Sequence, residues 1–275
     1  MSKIIVSIVT RERSGSTVFQ RFLGTNTALD LLGELWNVGS AGAAFYIYWK
    51  TKILEDDKNL RLNNLNRLFN EFLDEKLAES NGGVVLDAKY AWLDNLRYFW
   101  SPTFGPKGRA IVTEPTLLRE LKKRNSHIIH LTRRNKLAVY VSTLRARQSE
   151  VWQLPRSAAP RPAPTERLDF NIARLTKFVI QERNMDALVA GYLREYRRHL
   201  ALVYEEFLGE DTERLGDDFV REVATFLGQE PGRFDPVLRL RKVVQGTLAE
   251  QLARPDEVRA ALSAIDAAWM LEEAT

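Results

Sequence analysis

Eight residues near the start of the chain, Thr10-Arg11-Glu12-Arg13-Ser14-Gly15-Ser16-Thr17, bring together small hydroxyl side chains, one glycine and an arginine inside the loop. An apolar run, Ile4 to Val9, precedes them and reads as a buried strand; Val18-Phe19-Gln20-Arg21-Phe22-Leu23 follows and reads as a helix opening. A strand, a short hydroxylated loop and a helix N-terminus make an anion cradle, because the loop amides point inward and the helix dipole favours negative charge. Arg13 adds a permanent positive charge. The chemistry this implies is the holding of a phosphate or a sulfate. A Walker A loop would place a lysine between its glycine and its Ser/Thr, whereas Gly15 runs straight into Ser16-Thr17. The spacing therefore suits a shorter anion better than a nucleoside triphosphate with magnesium. The structural alternative is an ordinary βα turn with a serine N-cap.

A second junction of the same kind is Leu131-Thr132-Arg133-Arg134-Asn135-Lys136, with Ser142 two turns further along the helix that follows. Arg134 can grip a phosphate with its planar fork of donors, and Ser142 offers a hydroxyl. Alternatively, Ser142 is a small residue packed between helices, with Arg133 and Arg134 solvated. Lys89-Tyr90-Ala91-Trp92 follows a strand end. Lys89, Tyr90 and Trp92 are candidates for lining an acceptor pocket, the aromatic pair stacking on a sugar or aryl group. Core packing is the competing reading.

Alternating strands and helices must position these residues. Leu29 to Leu32 reads as a short second strand, with Gly33 to Gly39 as a loop after it. Leu60, Leu65, Leu68, Phe69, Phe72, Leu73 and Leu77 recur at helical spacing, and Gly82-Gly83 closes that helix. Strands are expected at Val84–Lys89, Ile128–Thr132 and Leu200–Tyr204. Helices are expected from Pro115 to Arg124, Asn135 to about Arg147, Phe170 to His199, Asp217 to Leu227, and near the C-terminus. Prolines keep the low-complexity stretch at 155–164 out of helix and sheet. This order predicts a parallel sheet with helices on both faces and a ligand crevice beyond the carboxyl ends of the strands. Arg13 and Arg134 both fall just past such ends.

Composition narrows the function. The chain of 275 residues suits one large α/β domain or two small ones. It has no cysteine and three scattered histidines, so disulfides are excluded and a metal site is not expected. The net charge of +4 comes from dispersed arginines, which fits an anionic cofactor rather than a nucleic-acid surface. The N-terminal apolar run is six residues long and lacks a cleavage site, and no apolar stretch is long enough to span a membrane. The expectation is a soluble, cytoplasmic protein with no nucleic-acid partner.

In combination and in order, these segments resemble the sulfotransferases that use 3′-phosphoadenosine 5′-phosphosulfate (PAPS). The 5′-phosphosulfate loop of that family is similar to Arg13-Ser14-Gly15-Ser16-Thr17. Its 3′-phosphate motif pairs an arginine after a strand with a helical serine, as Arg134 and Ser142 do. Val203-Tyr204-Glu205-Glu206-Phe207-Leu208 and Phe226-Leu227-Gly228 resemble two further family segments. Cytosolic aryl and steroid members carry a lysine where this chain has Arg13, and an Arg-Lys-Gly motif near the C-terminus that is missing here. Lys242, in Leu240-Arg241-Lys242-Val243, is the candidate substitute for the charge of that motif. The arginine variant looks more like the carbohydrate and bacterial small-molecule branches. In some bacterial carbohydrate members a glutamate shortly after the first helix is the general base, and Glu34 stands in the matching place.

The resemblance implies a P-loop-like three-layer α/β sandwich with a central parallel sheet flanked by helices. It implies one sulfotransferase domain over residues 1–275, with a Pro-rich loop at 153–165. PAPS would be held by Arg13, Ser14, Gly15, Ser16, Thr17, Arg134, Ser142 and Lys242. A sugar or small-metabolite hydroxyl would attack sulfur in line, releasing adenosine 3′,5′-bisphosphate without a metal. Arg13 would meet the charge on the leaving oxygen and Glu34 would take the hydroxyl proton. His130 is the rival base, although its apolar strand favours a satisfied core histidine. Two other readings stand beside this one: an atypical P-loop kinase acting on a small alcohol, and a non-catalytic nucleotide-binding module.

Overall fold

The computed structural model describes residues 3–35, 44–56, 62–90, 115–151, 154–155, 166–207, 213–238, 240–241 and 247–272. Its centre is a five-stranded parallel sheet: β1 (Ile4–Thr10), β2 (Asp30–Glu34), β3 (Gly83–Lys89), β4 (His127–Thr132) and β6 (His199–Val203), in the order β2-β3-β1-β4-β6. The three inner strands β3, β1 and β4 are nearly continuous buried runs because both their faces are covered, whereas the edge strands β2 and β6 stay partly exposed. Helices α1 (Ser16–Asn26), α2 (Ala44–Glu55), α3 (Leu62–Glu79), α4 (Thr116–Lys123), α5 (Lys136–Ser149), α6 (Ile172–Leu193), α7 (Asp217–Phe226), α8 (Pro255–Ser263) and α9 (Trp269–Glu272) surround it. This is the layered α/β sandwich expected from the sequence.

Alternation along the strands sorts side chains between the two layers. Ile5, Val9, Leu86, Ala88 and Ile128 pack with Phe69 and Phe72 of α3, α4, and Val189 and Leu193 of α6. Val6, Ile8, Val85, Ile129 and Leu131 face the other way, against Phe19, Phe22 and Leu23 of α1 and Phe219 of α7. Each fully buried Leu or Phe contributes on the order of 1.5–3 kcal/mol. A third cluster joins α5, α6, α8 and α9 through Leu137, Val141, Leu175, Leu262 and Met270. The α1 face is the one that matters for chemistry, because Asp87 and Lys89 share the parity of Val85 and so look toward α1.

Some boundaries differ from expectation. β2 runs on through Gly33 and Glu34, with a register shift between Leu31 and Glu34. Leu31 pairs with Val85, but Glu34 pairs with Asp87, so β2 carries one residue more than β3 across this step. Gly33, at φ 69°, absorbs the bulge. His199 opens β6 rather than ending the preceding helix, which stops at Leu193. Pro155, expected outside regular structure, lies in a two-residue strand, β5 (Leu154–Pro155), antiparallel to β7 (Leu240–Arg241). A pair this short has edges on both sides, where proline's missing N–H is tolerated. Helix α2 has no sequence signature: Phe45-Tyr46-Ile47-Tyr48-Trp49 is apolar on every side, which hides the helical period.

Candidate functional site: a cationic cradle at the strand ends

The loop between β1 and α1 is bent by two left-handed residues, Arg13 at φ 64° and Gly15 at φ 88°. Gly15 occupies the N-cap position, where it has no side chain to accept from the first-turn amides, and that turn holds no acidic residue. The positive end of α1 is thus not neutralised from within its own helix. This disposes of the serine N-cap alternative. Gly15 is also required sterically: a Cβ there would lie 2.3 Å from the Tyr204 ring. The Ser14 hydroxyl is buried and finds no hydrogen-bond partner among the described residues.

A lysine from the neighbouring strand, Lys89, reaches the start of α1. The ends of β1 and β3 are level, with Thr10 opposite Lys89. The Lys89 ammonium donates to Ser16 Oγ at 2.5 Å and to Asp87 Oδ2 at 2.7 Å. Glu34 Oε1 lies 3.8 Å from the same nitrogen. The bulge at Gly33 brings this about, because paired residues share a face and the unshifted register would set Glu34 beside Ala88. Lys89 is 3% exposed, while the Glu34 side chain retains 31% exposure. A carboxylate open to solvent therefore stands beside a buried ammonium that touches the helix start.

Arg13 closes the other side of the loop. Its Nε donates to the Ser142 hydroxyl of α5 at 3.0 Å. Burial, and then the neighbouring Arg133, lowers its pKa from the ordinary arginine value. Arg133 donates to the Arg13 carbonyl at 3.2 Å and lies 4.6 Å over the Tyr204 ring. It is therefore packed rather than solvated, and it fixes the backbone of the loop.

The junction of β4 with α5 is built differently. Asn135 caps α5 by accepting from the Ala138 amide at 2.8 Å, and the Glu205 carboxylate accepts from the amides of Arg134 and Asn135 at 2.9 and 3.0 Å. This helix start is already supplied with acceptors by the protein itself. The Arg134 guanidinium is half exposed and pairs with Glu206 at 3.2 Å. Ser142 is held by Arg13, and the motif arginine Arg134 is directed instead toward Glu206.

Tyr90 is 1% exposed and takes the core-packing alternative, so it does not line an open pocket. Its hydroxyl donates to Asp186 Oδ1 at 2.8 Å and meets His130 Nε2 at 2.5 Å. A carboxylate can only accept, so the phenol hydrogen goes to Asp186 and the imidazole donates through Nε2. Asp186 also pairs with Lys136. Burial, then His199 and Lys136, pushes the His130 pKa down to about 3. His130 is a neutral core residue and makes no contact with the cradle. Trp92, Lys242 and most of the 153–165 stretch lie outside the described residues. Sequence reasoning missed Asp87 and Gln20, and named Arg133 at the junction only as a solvated side chain. An acidic residue inside an otherwise apolar strand was the available signal for Asp87.

Among the described residues no group of histidines and carboxylates could hold a metal ion, and no helix is long and apolar enough to cross a membrane. No protein-family model matches the chain, and no curated protein matches it. Among solved structures it is similar to a sulfotransferase from Alicyclobacillus acidocaldarius, with 14% identity and a TM-score of 0.43, over 100% of this chain and 98% of that one.

Proposed function

We propose that this protein is a single-domain, cytoplasmic, PAPS-dependent sulfotransferase of bacterial type acting on the hydroxyl of a sugar or small metabolite. The observation that carries the reading is the Lys89 ammonium, in contact with Ser16 at the helix start and within 3.8 Å of the Glu34 carboxylate. An anion cradle and a carboxylate base thus share one cation.

The loop after β1 and the start of α1 suit the phosphosulfate end of the donor. The α1 amides, Ser14, Ser16, Thr17, Arg13 and Lys89 would hold the phosphosulfate, and Arg134 with Ser142 the 3′-phosphate. The donor supplies an activated sulfuryl group. Glu34 would take the proton of the acceptor hydroxyl as its oxygen replaced the phosphate oxygen on sulfur. Arg13, Lys89 and the helix start meet the charge that grows on the leaving oxygen. Glu34 is open enough for an acceptor hydroxyl to reach, and it is kept on the cradle face by the β2 bulge.

The kinase alternative is disfavoured by Lys89. P-loop nucleotide enzymes hold magnesium between a loop Ser/Thr and a strand Asp. Here the Lys89 ammonium contacts both Ser16 and Asp87. The test is a thermal-shift series with adenosine 3′,5′-bisphosphate, adenosine 5′-monophosphate, and ATP with magnesium. Stabilisation by the bisphosphate well above the other two is expected. Preference for ATP with magnesium would replace this reading with the kinase. Tight bisphosphate binding with no transfer to any hydroxyl acceptor would leave a binding module.

A further inference from the structure

We infer that Asp87 is a positioning residue, held in place by Gln20, which aims the Lys89 ammonium at the start of α1 and limits the positive charge of the cradle. The inference rests on the sulfotransferase reading for its kinetic half; its electrostatic half concerns only an anion and the cradle.

Asp87 is 1% exposed in the middle layer of the protein, where an ionised carboxylate needs strong partners. Its Oδ2 receives two hydrogens, from Gln20 Nε2 at 2.7 Å and from Lys89 Nζ at 2.7 Å. Its Oδ1 is buried and has no hydrogen-bond partner among the described residues. The carboxylate is therefore anchored through one oxygen, and Lys89 is its charged neighbour there. Gln20 lies one turn along α1 from Ser16, so one helix carries both the hydroxyl that Lys89 reaches and the amide that orients Asp87. The lysine has a flexible four-carbon stem and loses rotamer freedom in this pose. Two fixed acceptors, Ser16 Oγ and Asp87 Oδ2, define its direction. Asp87 at the same time offsets one of the positive charges around the loop.

Two consequences of opposite sign follow for Asp87→Asn, which preserves shape and removes the charge. The cradle becomes one unit more positive, so sulfate should bind at least about tenfold more tightly. Lys89 loses its charged anchor, so hydrolysis of PAPS by water, an assay that needs no acceptor, should slow at least about tenfold. A purely structural role would weaken both together. Gln20→Ala keeps the charge and loosens its orientation. It should leave sulfate affinity unchanged and slow PAPS hydrolysis a few-fold, and it decides the matter if the Asp87 variant fails to fold.

Sulfate affinity is measured calorimetrically on the full chain. Affinity no higher in Asp87→Asn than in wild type, or hydrolysis unslowed in both variants, overturns the inference. Wild-type protein that binds sulfate but neither binds adenosine 3′,5′-bisphosphate nor hydrolyses PAPS overturns the proposed function instead. In that case the sulfate comparison still decides the role of Asp87 in charge balance.

Discussion

The Arg13 side chain reaches from the loop after β1 to Ser142 on α5, closing a 3.0 Å hydrogen bond across two elements that the sequence separates by 129 positions. The bond ties the loop after β1 to α5 through a partly buried guanidinium. Arg13 is also one of four non-glycine residues with positive φ among the described residues, a conformation that costs energy and that the surroundings must enforce. Arg133, itself packed on the Tyr204 ring, does so by donating to the Arg13 carbonyl.

Arg13→Ala should therefore reduce sulfuryl transfer by two to three orders of magnitude, the loss typical of one donor to a developing oxyanion (roughly 3–4 kcal/mol). The fold should persist, since Arg13 lies in a surface-facing loop and contributes no hydrophobic cluster. Turnover against the circular-dichroism melt of the same sample checks both halves. Full turnover in the variant removes Arg13 from the chemistry.

Arg134 makes a separate prediction because its ion pair with Glu206 is exposed and weak. A phosphate can displace such a partner. Arg134→Ala should weaken adenosine 3′,5′-bisphosphate binding about tenfold and leave adenosine 5′-monophosphate nearly unaffected. Glu206→Gln should act in the opposite direction, tightening the bisphosphate a few-fold by releasing the arginine. Equal losses for both nucleotides in the Arg134 variant would show that this corner does not contact the 3′-phosphate.

Glu34 depends on its neighbour. Glu34→Gln should spare bisphosphate binding and lower transfer by about 10²–10⁴, the range for a positioned general base. Gly33→Ala should cause a milder transfer defect with Glu34 intact, because an alanine at φ 69° strains the bulge that turns the carboxylate to the cradle. Kinetics of both variants against the same acceptor test this. An active Glu34→Gln variant hands the proton to another group.

The sheet and the two strand–loop–helix junctions were legible in the sequence because each strand is a short apolar run followed by polar caps or glycine. Ser16, Gly15 and Arg13 could be read as an anion site for the same reason. What could not be read was lateral. The neighbour relation of β1 and β3 sets Lys89 opposite Thr10, and so brings its ammonium to Ser16 at the start of α1. The face of Glu34 depends on one inserted residue in β2, which no periodicity reveals. Ser142 was matched to an arginine by motif order, but the structure gives it Arg13, which comes from the far end of the chain. Tyr90 looked like a pocket aromatic until its hydroxyl was accounted for by Asp186 and His130.

That phenol network yields a prediction about stability. Burial lowers the pKa of His127, His130 and His199 alike, His130 to about 3. A histidine depressed in the folded state leaves the unfolded state with more bound protons between its folded value and 6.5. The stability it protects is present above about pH 6.5 and is lost as pH falls toward 3. For His130 the gap from 6.5 to about 3 amounts to no more than about 5 kcal/mol. Glu182, raised by burial, contributes with the opposite sign as its own carboxyl titrates. His130→Gln keeps a donor for the Tyr90 oxygen and removes the titration. Its melting temperature should fall less steeply than wild type between pH 6.5 and 4.5. Parallel curves for the two proteins would place the acid sensitivity elsewhere in the chain.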